Sequence, residues 1–142
     1  MMDVNNLSAL PPDEQKRLLM KKLVAQLSIA ADDVHHVRML MAASAQLPAP
    51  GYELLLKGVS NEYHYLLRLA KQVQRNKKPE EQAKMMKDIA WRTHRLPSIG
   101  ELLESRLIVQ CHPDESTLLR RIRRLRDNIK QAIQMIQMWR RV

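Results

Sequence analysis

This 142-residue chain has one cysteine, three glycines, no phenylalanine and an aromatic content of 4%. With Cys111 alone, no intrachain disulfide can form, which fits a reducing compartment and makes a cytoplasmic setting the expectation. Gly51, Gly58 and Gly100 stand too far apart to build a phosphate-cradling loop. With phenylalanine missing and leucine, methionine, alanine, lysine and arginine dominant, an all-β fold is excluded and helices are favoured. No run of 18 apolar residues occurs, so no membrane-spanning helix is expected. Met1 to Leu10 lacks the basic run and apolar stretch of a secretion signal and reads as a flexible terminus.

What is present fits one domain over residues 1–142: 45% hydrophobic residues are enough for a core, and 27% charged residues are close to the globular average. Proline punctuates the chain, because it is tolerated in a helix's first turn and ends the helix before it. A first helix is predicted from Pro11 to Leu47, with Met20, Leu23, Leu27, Ala30, Val34, Val37 and Met41 spaced alternately by three and four on one stripe. Asp32 and Asp33 offer an alternative, a break with a second helix capped there. After Pro48-Ala49-Pro50-Gly51, the same spacing links Tyr52, Leu56, Val59, Tyr63, Leu66, Ala70 and Val73. A third helix opens at Pro79-Glu80-Glu81, its inner face formed by Met86, Ile89, Ala90 and Thr93. Ser98-Ile99-Gly100-Glu101 has the pattern of a capping box and predicts a short helix to about Gln110.

The last helix, over 113–142, has the most regular pattern. Leu118, Ile122, Leu125, Ile129, Ala132, Ile136 and Trp139 keep an unbroken heptad. The fold expected is therefore all-α: an antiparallel bundle of four to five helices with a long coiled-coil-like C-terminal helix.

The net charge of +9 is unevenly placed. Met1 to Lys71 holds 8 basic and 7 acidic residues, or +1, whereas Gln72 to Val142 holds 16 and 8, or +8. From Ser116 onward, eight cations face a single acid, Asp127. Arg120, Arg121, Arg123, Arg124, Arg126 and Lys130 all lie off the heptad seam. Arginine's planar fork suits phosphate oxygens, and each phosphate contact displaces a condensed counterion. Lys77, Lys78 and Lys84 add to the same charge. Trp91, among Lys87, Arg92 and Arg95, offers a base a stacking surface, but beside Ile89 and Ala90 it reads as a core residue. No groove-reading motif or zinc-ligand pattern is visible, so sequence-specific readout is not expected.

Enzymatic chemistry has little to stand on. Cys111 and His112, with His35, His36, His64 or His94, show no CxxC or i, i+4 spacing, so neither a metal nor a cofactor is expected. No catalytic residue is assigned. The expectation is a non-catalytic basic subunit that binds a DNA or RNA backbone with little sequence preference, as an accessory component of a multi-subunit nucleoprotein complex. The alternative is a helical protein-binding adaptor or chaperone, as in a secretion assembly. Such an adaptor would use the methionines and the seam residues Leu118, Ile122, Leu125, Ile129, Ile136 and Trp139 as a partner or homo-oligomer interface. The cations surround the last helix too broadly for a helix lying on a membrane, so a membrane partner is not expected.

Overall fold

In the computed structural model, which describes residues 9–43, 49–97 and 116–142, four helices are seen: α1 Pro12–Ala43, α2 Ala49–Arg75, α3 Pro79–Thr93 and α4 Ser116–Arg141. α1 and α3 start where proline and acidic first turns put them, whereas α2 starts at Ala49, within the Pro48–Gly51 stretch expected to precede it, and has no acid in its first turn. No strand occurs among the described residues. Asp13 and Glu14 in α1, and Glu80 and Glu81 in α3, sit where the helix dipole favours negative charge. The α2–α3 turn is closed by side chains. The Gln82 amide donates to the carbonyls of Val73 (3.0 Å) and Asn76 (2.6 Å), and the Asn76 side chain accepts from the Lys78 N–H at 2.9 Å.

α1 packs on α2 and α4, and α3 packs on the same two helices, which makes a four-cornered, all-helical bundle. α1 and α4 run antiparallel, as do α2 and α3. Lys16, Gln26 and Asp33 of α1 meet Trp139, Asn128 and Arg121 of α4, so numbers rise on one helix as they fall on the other. Gln82 and Arg92 of α3 likewise meet Val73 and Glu62 of α2. The predicted stripes meet in the middle. Leu23, Leu27, Val34, Leu56, Leu66, Val73, Met86, Ile89, Ile122, Ile129 and Ile136 are each at most 1% exposed. Burial of this apolar surface is the main force holding the helices together.

α1 passes Asp32 and Asp33 without a break. Asp33 does not cap a helix. It is 2% exposed, and its carboxylate reaches across to α4, accepting from Arg121 (Nη1, 3.3 Å) and Asn128 (Nδ2, 3.3 Å), with Arg124 Nε at 3.4 Å. A carboxylate this deep is tolerable only when paired and hydrogen-bonded. The helix expected over 98–110, residues 1–8 of the stretch expected to be flexible, and the side chains of Met41, Tyr52 and Leu118 lie outside what is described, while Leu10 packs part-buried against the core and its carbonyl accepts from the Gln15 side chain at 2.7 Å.

Tyr63 on α2 is also buried, at 2% exposure. Burial pushes its phenol well above the ordinary tyrosine range, and the nearby Asp33 carboxylate pushes it further the same way.

Two outcomes follow from this buried pair. Asp33→Ala strips the α4 arginines of their partner, yet both are exposed enough to rehydrate. The expected loss is about 2–3 kcal/mol in urea unfolding, below the roughly 3–5 kcal/mol of a fully buried broken pair. For Tyr63 the folded-state pKa is raised, so its contribution is complete below the unfolded value near 10 and is lost as pH climbs beyond it. Unfolding titrations between about pH 9 and 11 should show the parent protein losing stability faster than Tyr63→Phe, by up to ~1.4 kcal/mol per pH unit.

Candidate nucleic-acid interface

The heptad that builds the core also sorts the charges of α4 into edges. With Ile122, Ile129 and Ile136 in one buried column and Leu125, Ala132 and Trp139 in the next, the remaining positions fall to either side of the seam. One edge faces α1. It contains Arg121 and Asn128 in one column and Arg124 and Gln131 in another, and Gln26 of α1 donates to the Asn128 and Gln131 side chains at 3.0 Å each. Arg121 and Arg124 share this edge and spend their charge on Asp33.

The other edge faces α3. Arg126, Ile133 and Arg140 form one column, and Arg123, Lys130 and Gln137 the next. Ile133, Gln137 and Arg140 line a groove of about 390 Å³ whose opposite wall is Lys87 and Trp91 of α3 with His94 and Arg95 just past its end. Arg126 is half-buried, with its Nε 3.8 Å from Asp127. Farthest from the core lies the column of Arg120, Asp127, Gln134 and Arg141, all exposed.

Apart from the half-buried Arg126, the cations singled out in the sequence divide three ways. Arg120, Arg123 and Lys130 are exposed on the outer and α3-side surface of α4. Arg121 and Arg124 are held toward α1. Lys77, Lys78 and Lys84 are exposed around the α2–α3 turn, and Lys78 pairs with Glu81 at 3.9 Å. That turn lies beside Trp139: Lys77 and Trp139 line one depression, about 28 Å of helix away from Arg120 at 1.5 Å per residue. The two groups of cations do not converge on one spot.

The seam offered as a partner interface is turned inward. Ile122, Leu125, Ile129, Ile136 and Trp139 are 0–4% exposed inside the chain's own bundle. Met20 and Met86 are buried with them, while Met39 is 60% exposed.

No protein-family model, no curated protein and no solved structure matches the chain.

Trp91 departs from its reading as a core residue. Met86, Ile89 and Thr93 take the buried face of α3, and Trp91 stands off it at 59% exposure, with the Arg95 guanidinium 4.1 Å from its ring centre. Two residues from Ile89 is about 200° around a helix, so proximity in sequence put it on the far side. Arg92, by contrast, is not available charge. Hydrogen bonding to Glu62 (3.1 and 3.2 Å) holds its guanidinium above its usual pKa, and Asp88 at 3.3 Å adds to this. No group of three metal-ligating side chains occurs among the described residues.

The division of the arginines can be measured without any ligand. Replacing Arg121 and Arg124 with glutamine should lower the melting temperature by several degrees, because Asp33 is left buried without its charge partners. The same change at Arg120 and Arg123 should move it by no more than about a degree, as expected for exposed positions.

Proposed function

We propose that this chain is a non-catalytic, cytoplasmic accessory subunit that binds a nucleic-acid backbone with little sequence preference. One observation carries the reading: the outer and α3-side surface of α4 exposes Arg120, Arg123, Lys130, Arg140 and Arg141 around a single carboxylate, Asp127. Cations spread along one rigid helix suit a polyanion with charges at regular spacing better than they suit a compact acidic ligand. Arg120, Arg123, Arg126 and Lys130 contact phosphates in this reading. Lys77, Lys78 and Lys84 extend the path at the far end, and Arg121 and Arg124 serve mainly to hold α4 in place.

The alternative, a protein-binding adaptor or chaperone, draws its support from a different surface. Met39 and Leu40 near the end of α1 and Leu54 near the start of α2 are exposed by 60%, 37% and 74%. The heptad seam gives this alternative little, since a partner or a second copy would have to open the bundle to reach it. No helix among the described residues is long and apolar enough to cross a membrane.

Fluorescence anisotropy with labelled DNA and RNA, single- and double-stranded, tests the proposal. If 6 to 10 phosphates are contacted, affinity should fall by about 10³ to 10⁵ between roughly 50 and 200 mM salt. Reversing Arg120, Arg123 and Lys130 to glutamate should abolish binding while helicity is kept. Undiminished affinity in that triple variant would refute the assignment.

A further inference from the structure

The groove between α3 and α4 combines an apolar floor, a cationic rim free of carboxylates among the described residues, and an exposed indole. Its floor is apolar, formed by Ala90, Ile133 and Ile136. Its rim is cationic, with Lys87, Arg95 and Arg140 all exposed, and among the described residues no carboxylate lines it. Along one wall stands Trp91, an indole left 59% in water. At about 390 Å³ the space is within the roughly 300–1,000 Å³ of small-ligand clefts.

An apolar floor, a flat aromatic wall and a positive rim complement a ligand that is planar and apolar at one end and anionic at the other. We infer that this groove is a stacking site for an unpaired base of a single-stranded nucleic acid, with Trp91 and Arg95 as the platform and Lys87 and Arg140 as contacts to its flanking phosphates. The inference rests on the backbone-binding reading and adds to it a preference for single strands.

Arg95 follows Trp91 by four residues, in the turn just past the end of α3, and its guanidinium over the ring restrains the indole. It also adds a second plane on which a base can stack. Bases of a duplex are paired and stacked on each other, so only an unpaired one presents its face to such a platform. The groove on the other side of Trp91 is of a different kind. It is bounded by Leu54, Leu55 and Leu96 and shares Arg95, but the Glu62 carboxylate offsets Arg92 there, so it holds less net positive charge than the α4-side groove with Lys87, Arg95 and Arg140. The strand is therefore drawn to the α4 side, where Lys130 and Arg123 continue the line of cations beyond the groove. Stacking is tolerant of base identity, consistent with weak sequence preference.

The full-length protein can be titrated with three probes: oligodeoxythymidine of about 15 nucleotides, an abasic strand of equal length, and a duplex. The thymidine strand should bind more tightly than the other two and should quench tryptophan emission. Trp91→Ala should lower thymidine-strand affinity about tenfold, the size expected for one stacked base, and remove the quenching. It should leave the abasic-strand affinity and its salt dependence unchanged, and Trp91→Phe should recover most of the loss. Equal binding of thymidine and abasic strands by the parent protein would overturn the stacking site while leaving backbone binding intact. So would unaltered thymidine-strand affinity in Trp91→Ala, or an equal loss for both strands. Failure of the parent protein to bind any of the probes at low salt would overturn both readings and leave the groove to a protein partner.

Discussion

Asp33 brings a carboxylate into the contact between α1 and α4, two helices whose shared core is built of interchangeable apolar side chains. A seam of isoleucine, leucine and alanine repeating every seven residues fits its neighbour nearly as well when shifted by one heptad, a slide of about 10 Å. A buried charge has no such freedom. It must find Arg121, Arg124 and Asn128, and only one alignment of the two helices supplies them. The hydrogen bonds from Gln26 to Asn128 and Gln131 reinforce that alignment two turns away.

That alignment decides which face of α4 is free. Turning Arg121 and Arg124 toward α1 leaves Arg123, Lys130 and Arg140 on the side of α3 and Arg120 and Arg141 outermost. The helix thus has one positive edge turned to Asp33 and another exposed on the side of α3. Charge neutralisation follows the same logic on α3. Arg92 is bound up with Glu62 and Asp88, while Lys87 and Arg95 border the groove.

The bundle was largely legible in the sequence because its signals are local. Three-four spacing, proline at helix starts and acids in first turns each act within a few residues, so Leu27, Leu66, Ile89 and Ile129 could be assigned to buried faces directly. The arginines could not be sorted that way. Asp33 and Arg121 are 88 residues apart, and nothing near either announces the other. Nearness to Ile89 and Ala90 suggests a core position for Trp91, although the angle between positions 89 and 91 already places it off the buried face. The exposed indole was thus a readable signal.

The sequence by itself determined the helices, their buried stripes and the excess of positive charge in the second half of the chain, because periodicity and composition are properties of consecutive residues. Only the tertiary structure decided which cations are spent on internal acids, which remain exposed, and that an apolar floor, an indole and a positive rim share one groove. Those are matters of distance between helices, and distance across a bundle is set by packing and by one buried carboxylate.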